Sequence, residues 1–342
     1  MEPNATHAAP QGPAAVFQML NAAQATAVLS AAIELNVFGK LAEGALDAEA
    51  VAQRIGCPAR TTRILLDALC VLGLAARAAG TYRLTDMSAT HLVPGKPMYA
   101  GDIAGILASP LMWSGMSRLA DAVRSGGSVL PEHAETPRNP FWETFAKSSG
   151  SMAFAAAPAL DAVLTHWIAS KKTVRMLDIA AGSGIYGFAL VEKHPNVELT
   201  ALDWPNVLVQ TKDWARRLHV DPKRVTYLEG NLFDVAYGGP YDLILLSHVY
   251  HHFDPPTCAA LTRKVHGALA PGGRVVVQDF LTDQDNPPGV MFSVTMLAWT
   301  RKGEAYAAAD YRKWFTESGF KAPTVHAASG MPTTFLVAEN AT

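Results

Sequence analysis

Short apolar runs alternate with helix-like patterns through the second half of the chain. Residues 241–246, YDLILL, are almost continuously apolar, and a second apolar run, VVV at 275–277, follows a helical pattern and a Pro-Gly-Gly turn. Unbroken runs of this kind are typical of parallel strands buried on both faces, with the helices between them as crossovers. The pattern therefore predicts an α/β domain built on a parallel sheet.

The first part of the chain, residues 16–92, has a different pattern. It reads as one or two amphipathic helices that stop at Gly44, followed by helix, turn, helix and a small β-wing. A winged helix raises DNA binding as a hypothesis, because Arg60 and Arg63 open the second helix of the pair. Acidic residues interleave with these arginines and leave no basic face to follow a phosphate backbone. The pattern therefore disfavours a DNA-binding regulator.

The segment 176–190, MLDIAAGSGIYGFAL, joins a strand to a helix through a glycine turn. Asp178 lies near the end of the strand, Gly182 and Gly184 permit a tight turn, and the next helix presents free N–H groups to a ligand. The following strand, VELTALDW, ends in Asp203, where an acid can bind both hydroxyls of a ribose. Together these features predict a nucleoside site.

Two kinds of ligand compete for this site. Gly182, Gly184 and Gly187 match the GxGxxG pattern of dinucleotide-binding proteins. Asp178, however, would place negative charge where a diphosphate must lie, so a cationic ligand is favoured. The spacing DxxxGxG resembles the first motif of class I methyltransferases that depend on S-adenosylmethionine (SAM), whose sulfonium is cationic.

Composition agrees with a two-domain intracellular protein. The chain has 342 residues, 49% of them hydrophobic, and a net charge of −2, which argues against a polyanion or an anionic membrane as partner. Its three cysteines, Cys57, Cys70 and Cys258, have no metal-like or disulfide-like spacing, so a reducing cytoplasm is expected. We expect no apolar run of membrane-spanning length, no signal peptide, and a mobile tail at 1–15.

The motifs follow one another in an order that resembles small-molecule O-methyltransferases of the acetylserotonin and plant caffeate type. The resemblance implies a Rossmann-like methyltransferase domain at 168–342 and a winged-helix dimerisation domain at 16–97, with a helical linker at 98–167 that forms one wall of the substrate pocket. It also implies a homodimer that transfers methyl from SAM to a hydroxyl of a small, largely apolar, aromatic acceptor, with neither nucleic acid nor membrane as partner.

The resemblance further implies which residues form the two binding sites. Asn231 stands where the family usually has Asp, and its amide oxygen can accept from the adenine amino group without charge assistance. The cofactor set is Asp178, Gly182, Gly184, Asp203, Trp204, Asn231, Leu232, Phe233, Ser247 and His248. The pocket set is Trp113, Met116, Phe145, Met152, Met296 and Trp299, although such side chains also suit a core or a dimer interface.

The family's catalytic histidine corresponds to His251. The family motif LHDW is replaced by YHHF at 250–253, and an imidazole is well suited to accept a hydroxyl proton near neutral pH. His252 replaces an Asp, and the acid that orients the base from a later loop has no clean counterpart. Glu304 is the nearest candidate for that acid, and without a carboxylate partner His251 would be a weaker base.

His248, His251 and His252 also raise a metal site as an alternative, because residues three and four apart share a helical face. Zn or Fe usually recruits a further carboxylate or cysteine, and helical spacing cannot be assumed where a strand ends, so we expect no metal. Two other chemistries stay open. One is metal-assisted methylation of the carbon of an enolised α-keto acid, and the other is a SAM-binding family member that catalyses a different reaction.

Overall fold

The computed structural model describes residues 12–96, 98–283, 286–328 and 331–341. The chain divides into two compact units that meet in sequence between Ser109 and Pro110. The first twelve residues of the predicted linker, 98–109, therefore belong to the amino-terminal unit. Most of the predicted tail, residues 1–11, lies outside the described residues, and the first helix begins at Pro13.

The amino-terminal unit has the predicted helix-turn-helix and wing. Asp47 starts the first helix of the pair by accepting the backbone N–H of Ala50 at 2.8 Å, and Gly56 ends it in the left-handed conformation. The wing is an antiparallel pair of short strands. The elements are α1 Pro13–Glu34, α2 Val37–Leu41, α3 Ala48–Ile55, α4 Ala59–Val71, β1 Ala75–Ala78, β2 Thr81–Leu84, α5 Asp86–His91, a 3₁₀ turn Gly101–Ile103 and α6 Ala104–Leu107.

Among the described residues, two helices are long and apolar enough to cross a membrane by length and composition alone, where the sequence analysis expected none. One is α1, whose apolar side chains are largely exposed in the isolated chain. The other is Gly150–Ala169 in the second unit, where Leu160, Leu164 and Ile168 are fully buried in the protein core. The second helix is therefore explained by its packing within the domain.

The second unit is the predicted α/β domain. Its helices are α7 Pro110–Ser117, α8 Leu119–Ser125, α9 Phe141–Ser148, α10 Gly150–Ala169, α11 Ile185–Lys193, α12 Pro205–Arg217, α13 Pro255–Ala268, α14 Pro287–Trp299 and α15 Ala308–Glu317. Its strands are β3 Val174–Ile179, β4 Val197–Asp203, β5 Val225–Glu229, β6 Tyr241–Ser247, β7 Leu269–Asp279, β8 Thr324–Ala327 and β9 Thr334–Glu339. Short 3₁₀ turns lie at Pro222–Arg224 and Tyr250–His252.

These seven strands form one sheet in the order β5-β4-β3-β6-β7-β9-β8. The neighbouring strands from β5 to β7 pair in parallel. β9 pairs antiparallel with β7 on one side and with β8 on the other. β6 lies between β3 and β7 with Leu243, Ile244 and Leu246 fully buried, so the prediction of a central strand is confirmed. The direction in which successive strands are added reverses between β3 and β6. Open α/β sheets bind ligands at such a switch point, outside the carboxyl ends of the two strands.

Candidate active site

The glycine turn between β3 and α11 brings the backbone close to its neighbours. Gly182 and Gly184 have φ angles of +55° and +74°, which non-glycine side chains rarely adopt. A Cβ on Gly184 would lie 2.6 Å from the ring of Phe188 and 2.8 Å from Cγ2 of Thr211. The turn therefore requires glycine at position 184, and it opens α11 as the pattern DxxxGxG predicts.

Asp203, at the end of β4, holds this turn in place. One carboxylate oxygen accepts the backbone N–H of Gly182 at 2.8 Å, and the other accepts the backbone N–H of Trp204 at 2.7 Å. Burial raises the pKa of Asp203 to about 6, against the lowering effect of these two hydrogen bonds. A carboxylate has about four lone-pair sites, so both oxygens can still accept a ligand hydroxyl.

Asp178 lies on the neighbouring strand and is 2% exposed. Burial, followed by the charge of Asp203, raises its pKa to about 8. A Cβ on Gly187 would approach its Oδ2 to 3.2 Å and a methyl of Leu199 to 2.8 Å, so the third glycine of the segment serves the packing of α11 on the sheet. Two buried acids side by side favour a cation and oppose a diphosphate.

Asn231 begins the loop after β5 and folds it into a turn. Its Oδ1 accepts the backbone N–H of Phe233 at 2.9 Å, so one lone pair of the oxygen expected to meet adenine is already used. At the tip of β6, the buried Oγ of Ser247 has no hydrogen-bond partner among the described residues. His248 follows with a φ of +60°. An orphaned buried hydroxyl beside the glycine turn fits a polar ligand there.

His251 forms a buried pair with an acid that the sequence analysis did not identify. It lies on the 3₁₀ turn after β6, is 2% exposed, and its Nδ1 is 2.5 Å from Oδ1 of Asp279, the last residue of β7. The same carboxylate accepts the backbone N–H of Phe280 and the hydroxyl of Tyr311, each at 2.9 Å. Burial acts to raise the pKa of Asp279, but His251 and the hydrogen bonds hold it below its ordinary value. The acid is therefore ionised, and Nδ1–H donates to it.

Asp279 replaces Glu304 as the partner of the base. The side chain of Glu304 is exposed and, among the hydrogen bonds of the described residues, makes none with His251. In this structure the acid that pairs with His251 is therefore Asp279 and not Glu304. The signal that could have found Asp279 is the one used for Asp178 and Asp203, a buried apolar run that ends in an acid, here VVVQD.

The two neighbouring histidines are neutral at pH 7. Burial lowers the pKa of His248 to about 4, and burial together with His251 holds the pKa of His252 well below its ordinary value. The possible metal ligands that cluster are His248, His251 and Asp279, within 4.8 Å of one another, rather than the three histidines. The 2.5 Å contact between His251 and Asp279 is a hydrogen bond, shorter than the spacing of two ligands on an ion with bonds of about 2.0–2.2 Å.

Aromatic rings surround the buried pair. The ring of Phe292 on α14 meets His251 edge-on at 4.7 Å between centroids, and it stacks on Phe280 at 3.9 Å. The rings of Trp142 and Trp299 lie 5.2 and 6.0 Å from that of His252. The wall beside the imidazole is therefore flat and apolar, as a site for an aromatic molecule requires.

The structure brings some of the predicted pocket residues to this wall and leaves others at a distance. Trp299 reaches it directly, and Phe145 joins through its edge-on contact with Trp142 at 5.5 Å. Trp113 and Met116 lie on α7, which packs against α14, and both are more than a third exposed. Met152 on α10 is half-buried, and Met296 on α14 is buried. Trp142 and Phe292 also lie on this wall, although the predicted pocket set omits them, because a periodic pattern does not distinguish pocket from core.

A mostly parallel sheet with a glycine turn, two buried acids and a buried imidazole at its carboxyl edge is typical of class I SAM-dependent methyltransferases. Comparison with known proteins agrees. Residues 117–321, more than half of the chain, match the O-methyltransferase domain, and residues 17–94 match the O-methyltransferase dimerisation domain. The chain belongs to the O-methyltransferase family and is a SAM-dependent O-methyltransferase.

Relatives support this assignment along nearly the whole chain. The acetylserotonin O-methyltransferase of Mus musculus is 30% identical over 332 residues, covering 90% of this chain and 83% of its own. The 3-hydroxy-5-methyl-1-naphthoate 3-O-methyltransferase of Streptomyces sahachiroi is 29% identical over 306 residues, covering 86% and 85%. A crystal structure from Nostoc punctiforme, assigned as an O-methyltransferase, has a TM-score of 0.90 at 35% identity and covers 96% and 100%.

Proposed function

We propose that this enzyme methylates a hydroxyl on a flat aromatic acceptor, with His251 as general base and Asp279 as the residue that positions it. The observation that carries the proposal is the buried hydrogen bond between the two side chains at the carboxyl edge of the sheet. Because Nδ1–H donates to Asp279, the lone pair of the imidazole lies on Nε2, which can take the proton of the acceptor hydroxyl. The carboxylate then stabilises the imidazolium that forms.

The cofactor residues fall into three groups with separate tasks. Asp203 is placed to bind the ribose hydroxyls while it fixes the glycine turn through Gly182. Asp178 supplies buried negative charge for the cationic part of the cofactor once that cation displaces its proton, and Ser247 offers a hydroxyl that has no partner among the described residues. The loop at Asn231, Leu232 and Phe233 borders the adenine. When bound, SAM supplies an electrophilic methyl group, and the protein's contribution is to align the acceptor oxygen with it.

The acceptor is inferred from the wall beside His251. Trp142, Trp299 and Phe292 suit a planar ring system, and Nε1 of Trp299 and Nδ1 of His252 are buried without a hydrogen-bond partner among the described residues. An acceptor oxygen could pair with the indole N–H, which would remove the free-energy penalty of leaving it unsatisfied. Methylation of a hydroxynaphthoate by the Streptomyces sahachiroi relative is consistent with this acceptor class.

Carbon methylation has no observation that favours it over oxygen methylation. The residues nearest the base are aromatic, and the cluster of His248, His251 and Asp279 contains the hydrogen bond that the base needs. The comparisons likewise identify relatives named as O-methyltransferases. The DNA-binding alternative is also disfavoured, because Arg63 is paired with Asp67 at 2.9 Å and the unit matches a dimerisation domain.

We infer a homodimer formed through the amino-terminal unit. On α1, Phe17, Met19 and Leu20 are 65%, 76% and 72% exposed in the isolated chain. Apolar side chains exposed in a row are typical of an interface, and the residues belong to the match with the dimerisation domain. The three cysteines are free, which supports the proposed cytoplasmic location.

The function is tested with methyl-labelled SAM and a panel of hydroxynaphthoates, simple phenols and α-keto acids, with mass spectrometry to locate the label. We expect label on a ring hydroxyl. His251→Ala should lower turnover by roughly 10²- to 10⁴-fold and leave the Kd of SAM nearly unchanged, since the loss falls on proton transfer. Full activity of His251→Ala, or label on carbon, would contradict the proposal.

A further inference from the structure

Lys264, on α13, holds the loop that follows β5. Its Nζ donates to the backbone carbonyl oxygens of Leu232, Phe233 and Val235 at 2.9, 2.7 and 2.8 Å. An ammonium group has three N–H donors, so this one loop uses all of them. Nζ also lies 4.3 Å from the centroid of the Tyr237 ring, within the range of a cation–π contact.

The loop cannot satisfy these carbonyl groups by itself. The backbone N–H groups of Asp234 and Val235 both donate to the carbonyl of Asn231 at 3.0 Å, and the N–H of Phe233 donates to the Asn231 side chain. The N–H groups of the turn are therefore used inside it. The hydroxyl of Tyr237 also donates to the carbonyl of Leu232 at 2.8 Å, and Lys264 supplies the donors for the carbonyl groups of Phe233 and Val235. Carbonyl groups at the end of a helix-like turn favour such a cation.

The two ends of this contact differ in how firmly they are held. Leu261 and Val265, which flank Lys264 on α13, are fully buried in the core of the domain. The loop from Gly230 to Val235 has no strand or helix of its own, and its residues are half-buried or exposed. The helix is therefore the fixed element, and the lysine transmits its position to the loop.

We propose that Lys264 is a positioning residue for the cofactor, which keeps the loop at 230–235 in the shape that receives adenine. The inference rests on the proposed function, because Asn231, Leu232 and Phe233 border the adenine only under that proposal. Lys264 itself does not belong to the catalytic pair or the glycine turn. Its removal should therefore weaken cofactor binding and leave acceptor binding and proton transfer intact.

The test compares Lys264→Met and Lys264→Arg with the wild type and with Lys321→Met. Lys321 is a matched control, because its ammonium pairs with Glu339 of β9 at 2.5 Å. In the order of the strands, β9 lies toward the opposite end of the sheet from β5. If about a tenth of the Lys264→Met molecules keep the loop in the shape that binds adenine, only that fraction can bind SAM. The Kd of SAM measured by calorimetry should then rise roughly tenfold. The KM of the acceptor and kcat at saturating SAM should stay within about twofold of wild type.

Two further measurements test the inference. Lys264→Arg keeps the charge, but its donors lie in one plane and not around a single nitrogen, so the Kd of SAM should fall between those of Lys264→Met and wild type. Amide hydrogen exchange of the peptide 230–240 should be faster in Lys264→Met and unchanged in Lys321→Met. A wild-type Kd in both Lys264 variants, or an equal rise in the KM of SAM and of acceptor, would overturn it. If the wild type binds no SAM, the proposed function fails, and hydrogen exchange still decides whether Lys264 orders the loop.

Discussion

Replacement of Asp279 by Asn tests the buried pair with a minimal change of shape. Asp279 is fully buried and accepts from His251, Phe280 and Tyr311. Asparagine is nearly isosteric, and its oxygen can keep the contacts to Nδ1–H and to the backbone. Its NH₂ group then faces the tyrosine hydroxyl, which can turn and accept. The geometry is retained and the negative charge is lost.

The magnitude follows from that single loss. A hydrogen bond to a charged group contributes about 1.5–3 kcal/mol and a neutral one about 0.5–1.5 kcal/mol, so the loss of charge costs about 1–1.5 kcal/mol. Since each 1.36 kcal/mol corresponds to a factor of ten in rate, kcat/KM should fall roughly 5- to 13-fold. The Kd of SAM should change little, because the carboxylate is not part of the glycine turn or its acids. The decrease should be smaller than that of His251→Ala, which removes the base itself.

The assay is the initial rate of methyl transfer to the best acceptor, with calorimetry for SAM and a thermal melt to verify folding. Tyr311→Phe removes one hydrogen bond from the same carboxylate and keeps the charge, so its activity should drop only a few-fold. Glu304→Gln neutralises the exposed acid that sequence comparison favoured, and it should behave as wild type. A folded Asp279→Asn enzyme with kcat/KM within twofold of wild type would refute the assignment of Asp279.

Four further predictions concern the cofactor site and the interface. Asp203→Ala should weaken SAM binding by roughly 1–3 kcal/mol in calorimetry. The variant loses a charged hydrogen bond to the ligand together with the hydrogen bond that holds the backbone N–H of Gly182. An unchanged Kd would exclude this acid from the site. Because the pKa of Asp178 is raised to about 8, a bound cation should displace its proton, so the Kd of SAM should fall between pH 6 and pH 8, and Asp178→Asn should abolish that slope. The same raised pKa gives the free protein stability that is complete below about pH 4 and lost as pH rises through about 8, which thermal melts without SAM can check. Phe17→Asp should shift a dimer toward monomer in light scattering, whereas a monomeric wild type would contradict the proposed interface.

Much of the fold could be predicted because its signals are local. An apolar run such as 241–246 must be buried on both faces, and glycine at 182 and 184 permits backbone angles that other residues avoid. The wing and the paired helices of the first unit follow from turn residues and periodicity in the same way. Such signals depend only on neighbours along the chain, so they predicted the sheet and the glycine turn without any knowledge of packing.

The contact between His251 and Asp279 depends on how distant segments of the chain pack together. Asp279 is 28 residues from His251, and the two meet because β6 and β7 pair in parallel, with Ser247 beside Gln278. Strand order is set by how the whole sheet buries its faces, so no local pattern at either residue specifies the contact. Comparison with family motifs searched a later loop instead and selected Glu304, whose side chain is exposed.

The sequence by itself thus determined which elements form, where the cofactor turn lies and which imidazole is available. The tertiary structure decided which acid pairs with that imidazole and which aromatic rings face it. It also decided that all three donors of Lys264 bond to one loop. The physical reason is range. Steric limits and hydrophobic periodicity act within a few residues, whereas hydrogen bonds among buried polar groups depend on which distant segments the core brings together.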